Sequence, residues 1–158
     1  MGLSLTSSAF RGGEPIPGMH TCDGADRSPA LAWASAPAST ASYALIADDP
    51  DAPGGTWVHW VVYDLPAGLT GLSADVPKVE RPPDLGGAAQ GQNDFRRLGY
   101  GGPCPPPGPA HHYHFKLYAL GAKLGLKPGA TKQEVERAMA GRILDSAELI
   151  GIYTRRGR

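Results

Sequence analysis

The sequence is poor in cysteine and in net charge, and it holds no long apolar run. Cys22 and Cys104 are the only two cysteines in 158 residues. They stand in neither a CxxC nor a zinc-finger spacing, which argues against a disulfide framework and a structural metal. Two reduced thiols in a cytoplasmic protein are therefore expected. No segment reaches the length of a membrane span, and Met1 to Arg11 lacks the apolar core of a signal peptide, so export is not expected. Lys plus Arg and Asp plus Glu are equal at 15 each, and the isoelectric point is near 7.0. Such a chain has no net field to draw it to nucleic acid or to an anionic membrane. Catalytic signatures are missing as well: there is no GxSxG, no phosphate-cradling GxxxxGK, and no serine paired with histidine and aspartate. No cofactor and no catalytic residue is assigned.

Glycine and proline are abundant, 22 and 16 residues, and they cluster between apolar runs as elaborate loops on an ordered scaffold. Four stretches read as strands: Ser42 to Asp48, Trp57 to Leu65, Tyr113 to Leu120 and Ala147 to Thr154, with Pro29 to Ser35 as a candidate fifth. The WVHWVVYDL stretch is apolar on both alternating faces, which predicts a central strand covered on two sides and hence two layers. The fold class expected is mainly β, an antiparallel β-sandwich in a single domain over 1–158, with one or two short helices. Thr131 and Glu134 form a capping box ahead of Val135, Ala138 and Met139, which predicts a helix ending near Gly141. From Leu72 to Pro109 a Pro- and Gly-rich segment shows no periodicity, and a connection of that length suggests function.

Two segments carry chemistry. The first, Asp48-Asp49-Pro50-Asp51-Ala52-Pro53, leads straight into the strand that contains His59. An imidazole between Val58 and Trp60 needs a partner, because burying an unpaired polar group costs roughly 1–3 kcal/mol. By itself this reads as a self-capped turn and a satisfied core histidine. The second runs from Gly99 through Gly101-Gly102-Pro103-Cys104-Pro105 to His111-His112-Tyr113-His114. It is stiff and bare, suited to lining a pocket with main-chain groups. Strand alternation puts His111, Tyr113, Phe115 and Leu117 on one side, expected to face the core, and His112, His114, Lys116 and Tyr118 on the other. Tyr43, Leu45, Ala47 and Asp49 likewise share a side. His112 and His114 on one face with His111 on the other leave no single-face zinc triad. Cys104 beside a histidine is a candidate nucleophile, although within Pro-Cys-Pro-Pro it reads more simply as a small apolar loop residue.

The order DPDAP, HW at 59 and 60, NDF at 93 to 95, GYGGPCPP, HxYxF and LYAL resembles the phosphatidylethanolamine-binding protein family, also called Raf-kinase-inhibitor-like proteins, and most closely its short bacterial branch. The resemblance spans about Cys22 to Arg155. It implies a β-sandwich with a pocket for phosphate, acetate, phosphoryl head groups or nucleotides. Carried over by position, the ligand-binding residues are Asp49, His59, Gly102, Pro103, Cys104, Pro105, His111 and Tyr113. It also implies a cis Ala52-Pro53 bond and places both cysteines near the pocket mouth. Arg96 stands where the bacterial pattern usually has glycine, and no counterpart of the C-terminal helix of the animal proteins is expected after Tyr153. The function expected is binding of a small anionic ligand. The alternative is inhibition of a protease or kinase through the pocket rim, and a weak hydrolase or phosphoryl-transfer enzyme ranks third. A homodimer is compatible with the sequence.

Overall fold

The structure, a computed structural model, describes residues 2–155. Its centre is a five-stranded antiparallel sheet in the order β6-β4-β3-β7-β8. The members are β3 (Ser42–Asp49), β4 (Trp57–Pro66), β6 (Ala89–Gln90), β7 (His111–Leu120) and β8 (Ile143–Tyr153). A second sheet of three short strands, β1 (Ser4–Thr6), β2 (Leu31–Ala34) and β5 (Gly71–Leu72), lies in the order β1-β2-β5. The mainly β two-layer architecture is as expected.

Alternation along β3, β4 and β7 sorts their side chains into two cores, which is why the middle of the large sheet is apolar on both faces. Leu45, Trp60, Val62, Phe115 and Leu117 pack with Leu5, Leu31 and Trp33 of the small sheet. On the opposite face Ala44, Ile46, Val61 and Tyr63 are covered by Val135 and Met139 of α1 (Lys132–Met139). The helix forms where its cap predicts. The Thr131 hydroxyl accepts from the Glu134 amide at 3.2 Å and the Glu134 carboxylate accepts from the Thr131 amide at 3.0 Å, which satisfies two donors that the first turn leaves free.

The long segment before β7 is irregular but anchored. Buried Gln90 accepts from the Trp60 indole N–H at 2.8 Å and donates to the carbonyls of Pro77 and Val79 at 2.7 and 2.9 Å. One side chain thus fixes the turns over 77 to 79 against β4, and the loop behind it is held in place without ladder pairing.

The cysteines correct an expectation. Cys22 and Cys104 form a disulfide, with Cα atoms 5.3 Å apart. Their separation of 82 residues hid a contact that only the fold creates: the loop after Gly101 packs on the short helical turn Gly18–His20, where the Cys22 amide donates to the Pro103 carbonyl at 3.0 Å. No helix among the described residues is long and apolar enough to cross a membrane.

Candidate functional site

Asp49 closes β3, and each of its carboxylate oxygens has a task. Oδ1 accepts from the Asp51 amide at 2.8 Å, which turns the chain; Oδ2 accepts from His111 Nδ1 at 2.7 Å. The turn to β4 is finished by Gly54 and Gly55, at φ of 82° and 122°, and by a bond from the Gly55 amide to the Ala52 carbonyl at 3.1 Å. Two residues in backbone regions open to glycine absorb the reversal, so the Ala52-Pro53 bond is trans, its default state, and not cis as expected.

His59 reaches the site through an irregularity. Ala47 pairs with Trp60 but Asp48 pairs with Val58, so His59 is an extra residue in β4, a β-bulge. The bulge breaks strict alternation: Val58 and Val61 stay on the helix-covered face, while His59 and Trp60 both turn towards the inter-sheet side. There the His59 ring meets Tyr113 edge-on at 5.2 Å and Phe95 at 5.5 Å. Its Nδ1 donates to the Gly101 carbonyl at 2.6 Å, and the Gly101 amide donates back to the His59 carbonyl at 2.9 Å. A carbonyl only accepts, so the ring proton sits on Nδ1 and Nε2 is left uncommitted. Burial pushes the His59 pKa below its ordinary value, against smaller opposing effects of the Gly101 bond and Asp49.

His111 and Tyr113 stand side by side on the inward face of β7, as alternation predicts, with rings tilted by 22°. The bond to Asp49 fixes the His111 ring and likewise leaves its Nε2 uncommitted. Tyr113 is 2 % exposed, and its hydroxyl is the one buried side-chain polar atom without a hydrogen-bond partner among the described residues. Burial, then the charges of Asp49 and Asp51, push its pKa well above the ordinary value, so the phenol remains a donor at any physiological pH. His112 and His114 lie outside. They pair with Asp51 at 2.7 Å and Glu148 at 2.9 Å.

Asp49, His59, His111 and Tyr113 converge on a cavity of about 290 Å³ whose remaining wall is apolar: Pro53, Trp57, Phe95, Cys104, Pro105 and Pro106. That volume is near the lower limit of small-ligand pockets, about 300 Å³. Cys104 and Pro105 line the cavity; Gly102 and Pro103 do not. Gly102 donates its amide to Asp26 Oδ1 at 2.7 Å, and the Pro103 carbonyl accepts from Cys22. Prolines have no amide proton, so between 102 and 105 only the Cys104 amide remains, and a cradle of loop amides is excluded. The candidate nucleophile is also gone, since the Cys104 sulfur is bonded to Cys22. Trp57 and Phe95 at the mouth were missed; an aromatic at the head of WVHW and another in NDF were the available signals.

The family model described as phosphatidylethanolamine-binding protein matches residues 6–154. A UPF0098 protein of Aquifex aeolicus is 51 % identical over 155 residues, 97 % of this chain and 89 % of that protein. A Mycobacterium tuberculosis protein named as a lipoprotein, LppC, is 42 % identical, covering 96 % of this chain and 72 % of its own length. The crystal structure of Escherichia coli YbcL, described as a member of the mammalian family of this type, superposes with a TM-score of 0.92 at 34 % identity, covering 99 % of this chain and 100 % of that one. With the match running through both chemistry-bearing segments and the two-sheet fold, the chain belongs to the phosphatidylethanolamine-binding protein family.

Proposed function

We propose that the chain is a binding protein for a small anion, a phosphate- or carboxylate-bearing group, held in the cavity of Asp49, His59, His111 and Tyr113. The observation that carries this is the Tyr113 hydroxyl. A buried hydroxyl without a partner costs roughly 1–3 kcal/mol, and an anionic oxygen at that point removes the cost. Two histidines with Nδ1 already engaged offer their Nε2 atoms beside it. Protonated, each becomes a charge-assisted donor, and Asp49 holds the His111 ring and balances its charge. Inorganic phosphate, acetate and a phosphoryl head group all present the oxygens this arrangement takes.

Imidazole NMR tests the reading. Adding phosphate should move the Nε2 resonances of His59 and His111 and leave those of His112 and His114 in place. Shifts confined to the two outer histidines would refute it.

A second reading, inhibition of a protease or kinase through the rim, rests on Trp57 and Phe95, each 37 % exposed and packed edge-to-face at 5.4 Å. Exposed aromatics beside a pocket are common anchors for protein partners. On this reading, Trp57→Ser with Phe95→Ser abolishes inhibition of a target; inhibition by the double variant would exclude it.

A further inference from the structure

The anion cavity has a neighbour. Beyond Phe95 and Cys104, which line both, lies a second cleft of about 340 Å³ with Tyr100, Gly101 and Gly102 along its backbone wall and Lys78 and Arg97 beside it. The two spaces meet because the Phe95 ring lies directly on the Gly101 backbone, where a Cβ would come within 2.6 Å of the ring. The ring therefore forms part of the wall between them.

The charges in the cleft are unequal. Its one acid, Asp26, is committed: Oδ1 accepts from the Gly102 amide at 2.7 Å, and Oδ2 faces Lys78 Nζ at 3.3 Å. Asp26 holds a left-handed backbone, φ 59°, in doing so, a strain that ligand-binding sites often retain. Arg97 has no ion-pair partner among the described residues, and two hydrogen bonds to Asn93, Arg97 amide to Oδ1 at 3.2 Å and Asn93 amide to the Arg97 carbonyl at 2.9 Å, fix its backbone. The cleft thus keeps one uncompensated cation, on a planar fork suited to phosphate or carboxylate oxygens.

We infer that the ligand of this protein carries two anionic groups, one seated at Tyr113 and the two histidines, the other in the adjoining cleft at Arg97 and Lys78, with a short spacer crossing Phe95. The inference rests on the anion-binding reading above and narrows it to a bis-anionic small molecule.

Calorimetry with alkanediol bisphosphates of graded length, from propane to hexane, against the matching alkyl monophosphates decides it. In the wild-type protein the best bisphosphate should bind at least tenfold tighter than its monophosphate. Arg97→Ala should remove that gain without changing monophosphate affinity. Arg142→Ala, a cation at the far end of the β7–β8 ladder, should leave the gain intact, which separates a local contact from net charge. A bisphosphate no tighter than its monophosphate, a gain that survives Arg97→Ala, or an equal loss in Arg142→Ala overturns the second site while the first stands. Binding of neither series refutes both readings.

Discussion

Arg96 shows how one side chain can sit where another residue is wanted. It occupies a left-handed backbone at φ 63°, held there because the Asn93 side chain accepts from the amides of Phe95 and Arg97 at 2.9 and 3.2 Å. A non-glycine residue pays roughly 1–2 kcal/mol in that region, and glycine loses about 0.5–1 kcal/mol more chain entropy. Arg96→Gly should therefore stabilise the fold by about 0.5–1 kcal/mol, read as a higher denaturation midpoint with unchanged slope; a loss of stability would contradict this account of the loop. The Asn93 bonds involve main-chain amides and survive the change, so Phe95 and Arg97 keep their places. At this scale the sequence was informative where alternation applies: the inward row His111, Tyr113, Phe115 was legible from β7 alone. It was silent where a residue's partner is remote, as with the Gly102 amide, which Asp26 takes from 76 positions away.

Among the elements, β4 and the 101 to 106 loop position the site. The bulge at His59 could not be read from the sequence, because a bulge is a relation between two registers and β4 alone shows only a stretch that is apolar on both faces around one histidine. The short strands β1, β5 and β6 escaped for a different reason: two or three residues are too few to display a period. The helix was legible because its cap is local. The Cys22–Cys104 bond belongs to the element scale as well, since it ties the cavity wall to the Gly18–His20 turn. Closing a loop of 82 residues stabilises by roughly 4 kcal/mol in the chain-entropy account. Alkylation of the native protein followed by mass spectrometry should find both cysteines protected, and reductant should lower the melting temperature by roughly 10 °C. Two free thiols in protein taken directly from cells would restore the expectation drawn from sequence alone.

For the molecule as a whole, protons and ligand are coupled. The folded protein holds His59 with a pKa below the unfolded value of about 6.5, so the unfolded chain binds this proton first as pH falls. The stability His59 contributes is intact above about pH 6.5 and is lost progressively below it, until the native ring also protonates. His59→Gln should accordingly flatten the acid limb of melting temperature against pH between about 7 and 5; an unchanged limb would show that burial of this ring does not govern it. An anion favours the protonated ring, which reverses the sign for binding: uptake of acetate, whose own charge is constant across this range, should carry protons with it and strengthen as pH falls from 8 to 6. Calorimetry in buffers of different ionisation enthalpy reads that proton directly.

The measurement that bears most directly on the anion site is calorimetric titration of phosphate into the wild-type protein and four variants. His111→Ala removes a hydrogen bond to a charged group, worth roughly 1.5–3 kcal/mol, and should weaken binding about ten- to a hundredfold. Tyr113→Phe, which deletes only the unpartnered hydroxyl, should weaken binding and leave unfolding stability equal or higher, since the free protein no longer buries an unsatisfied group. His112→Ala and His114→Ala, on the outer face of β7, should change affinity by less than about twofold, well under 1 kcal/mol. Absence of phosphate binding in the wild type, equal losses at all three histidines, or the largest loss at His112 would contradict the site.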